Sequence, residues 1–327
     1  MKVAVLGAGS WGTALAVHLA RAGLEPLLWG RDPETMAALS RDRRHPHRLA
    51  DVALPPQVRL TADLPEAFAF GETLVLAVPC ASMRALLGAA PAPDARHRFV
   101  STAKGIEPET GKRMSELILE THSRSPVAAL SGPTFAEGVA KGDPTAAVVA
   151  ATDGGFAMEL QYRLSTPQFR LYTSEDLVGV ELCGALKNVV AIAAGIVSGL
   201  GFGHNTLAAL VTRGLAEIDR LVRSQGGRAQ TVHGLAGVGD LMLTCTGQQS
   251  RNRRVGEQIG RGRKLNEVLV EMPEVAEGAR TCLAVPTLAA RSGVEAPIAE
   301  AVVRVLYEGV SPREAIERLM TRSLKSE

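Results

Sequence analysis

Two lysines, one aspartate and a short basic run carry most of the chemistry this sequence can offer. Lys187 stands inside "ELCGALKNVVAIAAGI", residues 181–196, a stretch that reads as a buried helix. An isolated buried ammonium is costly and gives up its proton more readily. Lys187 therefore either runs its aliphatic stem to the surface or faces a polar ligand. Lys104 ends the strand-like "RFVSTAK". Ligands of open α/β folds gather at the carboxyl ends of strands, so Lys104 either reaches one or is an ordinary loop lysine. Gly132 and Thr134, in "SGPTFAEG", offer a backbone N–H and a hydroxyl, or form a simple Gly-Pro turn. Asp240 lies in the apolar, glycine-rich "GLAGVGDLMLTCT". A carboxylate there needs a partner, or else it caps a helix. In "SRNRRVG", Ser250 can cap a helix and leave Arg251 and Asn252 at its positive end, which favours an anion such as phosphate. Arg253 and Arg254 read as a solvated face. Val275 and Glu277, in "PEVAEGART", carry by themselves only a capping signature.

A further set of residues points to a nucleotide. Gly7, Gly9 and Gly12 have G-x-G-x-x-G spacing in "VAVLGAGSWGTALA", directly between a strand-like run and a helical one. Glycine there permits a tight turn, close approach of a pyrophosphate and close helix–strand packing, while the helix N-terminus presents free N–H groups to phosphates. The alternative is an ordinary glycine turn. The second strand ends "LLWGRD". Gly30 occupies the place where an acid for the ribose hydroxyls is usual, and Arg31 follows. An arginine there can face a 2′-phosphate, which tilts the reading toward NADP(H). Asp32 leaves dual use with NAD(H) open, and "RDPE" also reads as a solvated helix start.

The elements needed to position these groups are visible as a change of pattern. "KVAVLG", "EPLLWG", "TLVLAVP", "RFVSTAK", "PVAALSGP" and "TAAVVAAT" read as strands alternating with helices, which predicts a mainly parallel doubly wound sheet. After about residue 178 helical spacing takes over: 180–199, 205–224, 251–261, 279–292, 296–308 and 312–324. The expectation is an α/β chain with an N-terminal Rossmann-like domain, residues 1–178, and an all-α C-terminal domain, residues 179–327. No Gly/Ser linker separates them.

Composition narrows the class. The 327 residues are 46% hydrophobic and 21% charged, as in ordinary globular enzymes. Lys and Arg total 36 against 34 acidic residues, which argues against bulk nucleic-acid binding. The four cysteines lie far apart and the seven histidines are scattered, so neither a disulfide framework nor a metal site is expected, and a reducing cytoplasm suits the chain. Glycines interrupt every long apolar run, so no membrane insertion is expected.

In order along the chain, "GAGSWGTALA", "TAKGIE", "SGPTFAEGVA", "ELCGALKNVVAIAAGI", "GLAGVGDLMLTCT", "SRNRRVG" and "VAEG" resemble the bacterial NAD(P)-dependent glycerol-3-phosphate dehydrogenases over nearly the full length. The resemblance implies that Ser10, Trp11, Arg31, Ala136, Val275 and Glu277 contact the dinucleotide. It implies that Lys104 touches both cofactor and substrate, as does Arg251. Gly132, Thr134, Asp240, Ser250 and Asn252 are implied to contact the substrate, and Lys187 to be the proton acceptor. The implied reaction is reversible hydride transfer between sn-glycerol 3-phosphate and NAD(P), giving dihydroxyacetone phosphate, in a cytoplasmic enzyme serving phospholipid synthesis; separately, the apolar helical half leads to the expectation of a homodimer. Two other readings stand beside it. One is a ketopantoate reductase-like enzyme for another small 2-oxo compound, against which the "SRN" phosphate-type segment argues. The other is a non-catalytic NADP(H) sensor, which has no need of a proton acceptor.

Overall fold

The computed structural model describes residues 1–92, 94–272 and 276–324. Eight strands form one sheet: β1 (Val3–Leu6), β2 (Leu27–Trp29), β3 (Arg59–Thr61), β4 (Thr73–Leu76), β5 (Arg98–Ser101), β6 (Val127–Ser131), β7 (Thr145–Ala151) and β8 (Phe169–Ser174). Their order is β3-β2-β1-β4-β5-β6-β7-β8. All neighbours are parallel except β6 and β7. The first six strands have the doubly wound order in which ligands bind where the winding reverses, between β1 and β4. Helices α1 (Ser10–Arg21), α2 (Pro33–Asp42), α3 (Leu64–Phe70), α4 (Cys80–Gly88), α5 (Met114–Thr121), α6 (Ala136–Lys141) and α7 (Gly154–Leu164) accompany the sheet.

Burial on both faces explains the continuous apolar strands. Val3 and Val5 of β1 join Leu15 and Leu19 of α1 in one core layer with Val75, Val100 and Leu160. The alternate residues Ala4 and Leu6 join Phe68, Met83, Phe99 and Leu117 in the layer on the other side. Two strands were not expected from the sequence, β3 and β8. Both are sheet edges. β3 has only three residues, and β8 alternates buried Phe169 and Leu171 with exposed Arg170 and Tyr172, a period-2 signal too short to stand out.

The remaining elements are helical: α8 (Leu177–Gly199), α9 (His204–Ser224), α10 (Ala229–Val232), a π-helical turn (Leu235–Gly239), α11 (Asp240–Thr246), α12 (Arg251–Gly260), α13 (Leu265–Glu271), α14 (Glu277–Ser292), α15 (Pro297–Tyr307) and α16 (Pro312–Met320). Among the described residues, α8 alone is long and apolar enough to cross a membrane, yet 94% of its most apolar window is buried, which marks a core helix. It packs on α12 through glycines. A Cβ on Gly195 would lie 2.0 Å from the Arg253 carbonyl oxygen, and one on Gly256 2.0 Å from that of Ile192. Gly199 and Gly260 repeat the contact one turn on, with Cβ distances of 2.3 Å to the Glu257 oxygen and 2.5 Å to the Ile196 oxygen. Small residues every fourth position let two helix backbones touch.

The chain divides into two compact units, residues 1–103 with 114–180, and residues 104–113 with 181–327. The expected boundary after residue 178 left 104–113 with the sheet. The structure places this decapeptide with the helices because its ends are tied to α8. Arg113 forms a 2.7 Å ion pair with Glu181, and Asn188 Nδ2 donates to the Lys104 carbonyl at 2.9 Å.

Candidate active site

In the first unit the glycine-rich turn sits at the ends of β1 and β4. Gly7 has φ +124°, and a Cβ there would lie 2.6 Å from the Ala77 oxygen; one on Gly12 would lie 1.8 Å from the Gly7 oxygen. Both positions are closed to any side chain. Gly9 is different: the nearest atom to its hypothetical Cβ is a guanidinium nitrogen of Arg48 at 3.5 Å, so the backbone there is open to an approaching group. Gly9 is the N-cap of α1 and supplies no side-chain cap. The first intrahelical bond runs from the Thr13 N–H to the Gly9 oxygen at 2.9 Å. The N–H groups of Ser10, Trp11 and Gly12 precede it and point out of the helix end. This cradle fits a dinucleotide pyrophosphate.

At the β2 end residues 30–32 take three different places. Gly30 is a packing residue, since a Cβ would meet the Met36 sulfur at 2.4 Å. Asp32 caps α2, accepting from the N–H groups of Thr35 at 3.1 Å and Glu34 at 3.4 Å and from the Thr35 hydroxyl. The Thr35 hydroxyl and the two N–H groups hold its carboxyl below the usual range. Arg31 is exposed and has no ion pair among the described residues. Gly132 has φ +138° and its carbonyl accepts from the Thr134 hydroxyl at 3.1 Å. Ala136 opens α6 after Phe135, which gives no side-chain cap. With Trp11 it borders the apolar cluster of Ala14, Val17 and Met36.

In the second unit three charged side chains meet. Asp240 opens α11 directly after the π-helical turn, an irregularity frequent at functional sites. The turn is built on glycine: a Cβ on Gly237 would lie 1.9 Å from the Val232 oxygen. Asp240 Oδ2 lies 2.7 Å from Lys104 Nζ and Oδ1 lies 2.9 Å from Lys187 Nζ. The Asp240 and Lys187 side chains are 2% and 7% exposed, that of Lys104 18%. Lys187 therefore does not run to the surface, and Asp240 is not a cap. Lys187 also donates to Thr244 Oγ1 at 2.6 Å, and that hydroxyl donates to the Asp240 carbonyl at 2.6 Å. Ser250 caps α12 through the Arg253 N–H at 3.2 Å. Arg251 is exposed at the first helical position, with no ion pair among the described residues, whereas Asn252 is buried. Glu277 is half-buried at the start of α14. Val275 lies outside the described residues.

The triad's electrostatics follow from one carboxylate serving two ammoniums. Burial works to raise the Asp240 pKa, but Lys104 and Lys187 together hold it below the usual range. Burial lowers Lys187, Asp240 opposes this and Lys104 assists it, leaving its pKa at about 8. Cys245, also buried near Lys187, is pushed up to about 12, chiefly by burial, and stays a thiol. Among the described residues no three His, Cys, Asp or Glu side chains gather to hold a metal ion.

Sequence reasoning missed two groups. Thr244 is four residues after Asp240, the spacing that brings side chains together on a helix, and that spacing was the available signal. Arg48 lies in an irregular segment, where nothing in the sequence links it to Gly9.

A sheet of Rossmann type with a phosphate-ready glycine turn, joined to a helical unit in which two lysines share one buried carboxylate, is the architecture of a class of two-domain dehydrogenases. Residues 2–157 match the family model of the NAD-dependent glycerol-3-phosphate dehydrogenase N-terminus, and residues 176–317 match that of its C-terminus. The chain belongs to the NAD-dependent glycerol-3-phosphate dehydrogenase family. It is similar to the glycerol-3-phosphate dehydrogenase [NAD(P)+] of Pelodictyon phaeoclathratiforme, 47% identical over all of this chain and 99% of that protein. It is also similar to the enzyme of that name from Thermobifida fusca, 46% identical over all of this chain and 98% of the relative. The crystal structure of the Coxiella burnetii glycerol-3-phosphate dehydrogenase superposes with a TM-score of 0.92 at 36% identity, covering 98% of this chain and 99% of the other. A ketopantoate reductase from Ralstonia eutropha shares the fold alone, with a TM-score of 0.59 at 16% identity over 98% of this chain and all of the other.

Proposed function

We propose that this chain is an NAD(P)-dependent sn-glycerol-3-phosphate dehydrogenase that reversibly reduces dihydroxyacetone phosphate. The observation carrying this reading is Asp240 held by both Lys104 and Lys187. Oxidation of the alcohol removes a hydride from C2 and a proton from the C2 hydroxyl. The nicotinamide ring, when bound, exchanges the hydride. Lys187 takes the proton in its neutral form and returns it in the opposite direction. The Thr244 hydroxyl, already donating to the Asp240 carbonyl, has a lone pair free for the Lys187 ammonium, and with Asp240 fixes where Nζ points. Lys104, less buried, brings positive charge toward the oxygen on C2. The first turn of α12, with Ser250, Arg251 and Asn252, takes the substrate phosphate, and Gly132 and Thr134 complete the substrate contacts. Gly7, Gly9, Ser10, Trp11, Gly12, Arg31, Arg48, Ala136 and Glu277 hold the dinucleotide, joined by Lys104, Arg251 and Val275. On this reading residues 1–178 are the NAD(P)-binding domain and 179–327 the substrate domain, which Lys104 also serves. Family membership supports cytoplasmic work in phospholipid synthesis. Exposed Phe202, Leu283 and Tyr307 of the helical unit support a homodimer.

The test follows NADPH oxidation with dihydroxyacetone phosphate, unphosphorylated dihydroxyacetone and ketopantoate. Dihydroxyacetone phosphate should be strongly preferred. Lys187→Ala should lower turnover by roughly 10²–10⁴-fold with NADPH affinity near wild type. Preference for ketopantoate, or no turnover of any of the three, overturns the reading. An affinity loss matching the rate loss makes Lys187 structural.

A further inference from the structure

Asn188 and Asn252 are both buried, and their amides form a continuous chain. The Gly278 N–H donates to Asn252 Oδ1 at 2.9 Å, Asn252 Nδ2 donates to Asn188 Oδ1 at 2.9 Å, and Asn188 Nδ2 donates to the Lys104 carbonyl at 2.9 Å. The ends of this chain fix its direction. A backbone N–H can only donate and a carbonyl can only accept, so neither amide can turn over without setting acceptor against acceptor or donor against donor. The Gly278 N–H belongs to the first turn of α14 and has no intrahelical partner of its own. Its place admits no side chain, because a Cβ on Gly278 would lie 2.5 Å from the Asn188 carbonyl oxygen and 2.9 Å from Asn252 Oδ1. Next to Gly278 in sequence is Glu277. At the other end of the chain is Lys104, whose ammonium meets Asp240.

We propose that Asn252 is a positioning residue that, through Asn188, transmits the seating of the first turn of α14 to Lys104, and so couples dinucleotide binding to substrate binding. The proposal rests on the dehydrogenase reading above, in which Glu277 meets the cofactor and Lys104 meets both ligands. Its physical basis is rigidity. Two of the three directional bonds join fully buried groups and the third is partly buried, so they exchange poorly for water, and a shift of α14 at Gly278 moves the Lys104 backbone or breaks a bond. The side chain of Asn252 is thus committed to the relay, which leaves its backbone N–H for the substrate phosphate.

The experiment measures the Kd of NADPH by fluorescence, with and without saturating sn-glycerol 3-phosphate. These two ligands form a ternary complex with no turnover. The ratio of the two Kd values is the coupling, and the same factor holds for the substrate by linkage. In wild type a ratio of roughly 5- to 150-fold is expected, the usual range for coupled sites. Asn252→Asp keeps the acceptor for the Gly278 N–H and loses the donor to Asn188. Asn252→Ser is neutral and too short to span both partners. In both variants the ratio should fall toward one while NADPH alone binds nearly as well as to wild type. Agreement between the anionic and the neutral variant removes repulsion of the substrate phosphate as the cause. A ratio near one in wild type, an undiminished ratio in either variant, or failure of both variants to fold overturns the proposal. The dehydrogenase reading is judged separately, by wild-type turnover of dihydroxyacetone phosphate.

Discussion

With Lys187 as the proposed proton acceptor and donor, its protonation decides which direction of the reaction it serves. With a pKa of about 8, the ammonium is partly discharged in mildly alkaline solution. Oxidation needs the neutral amine, so kcat/KM for sn-glycerol 3-phosphate should rise as pH climbs through about 8. Reduction needs the ammonium, so kcat/KM for dihydroxyacetone phosphate should fall over the same interval. Opposite limbs in the two directions are the signature; parallel limbs would show that another group titrates. A second residue-scale prediction concerns Arg31. Asp32 is committed to capping α2, which leaves Arg31 as the charged group at the β2 end available to a 2′-phosphate. Arg31→Ala should weaken NADPH by about 1–2 kcal/mol, the scale of an exposed charge-assisted hydrogen bond, and leave NADH nearly unchanged. Fluorescence titration of both cofactors at one ionic strength checks it, and equal losses would make Arg31 a surface residue. Asp240 and Lys187 were legible as polar groups in apolar surroundings, and Lys104 by its place at the carboxyl end of a strand. Their mutual pairing was not, because it joins residues distant in sequence and depends on how α8 and α11 pack.

At the scale of elements, the glycines between α8 and α12 determine where the "SRN" turn sits. Alanine is a better helix former than glycine by about 1 kcal/mol, so a helical Gly→Ala change often stabilises. At Gly195 the new methyl would meet the Arg253 carbonyl at 2.0 Å, and backbone cannot step aside as a side chain can. Overpacking of this kind costs typically about 1–3 kcal/mol, enough to reverse the sign. Gly195→Ala should lower the Tm and raise the KM for dihydroxyacetone phosphate, because α12 carries the proposed phosphate contacts. Gly88→Ala is the control. Nothing lies within 4 Å of its hypothetical Cβ, and it should be neutral or stabilising by up to about 1 kcal/mol. A Gly195→Ala protein as stable as wild type would mean the two helices are free to separate. The sequence showed both helices by their periodicity and by Ser250 as a cap. It did not show their contact, since glycines four apart look the same on a packed face and on a bare one. The segment from α10 through the π turn to α11 escaped for a related reason: Gly234, Gly237 and Gly239 erase helical spacing where the backbone bends to deliver Asp240.

At the scale of the molecule, the polypeptide passes from one compact unit to the other at 103/104, 113/114 and 180/181. Reading along the sequence finds the last passage from the change in periodicity. It cannot find the first two, because a ten-residue excursion has no periodicity of its own. A fragment beginning at residue 179 therefore lacks Lys104 and Arg113, and leaves Glu181 without its 2.7 Å partner. Losing a charge-assisted hydrogen bond at a buried carboxylate costs about 1.5–3 kcal/mol, an appreciable part of the 5–15 kcal/mol that typically separates folded from unfolded chains. Expressed alone, residues 179–327 should show no cooperative melting transition; a transition at the temperature of the full chain would refute this. The same excursion bears on how such a protein can be inherited. A crossover near residue 178 between two related genes would take Lys104 from one parent and its partner Asp240 from the other. Hybrids should survive where the parents agree at 104–113 or where that decapeptide is carried across with the C-terminal portion, so the two halves recombine as interleaved pieces and never as simple modules.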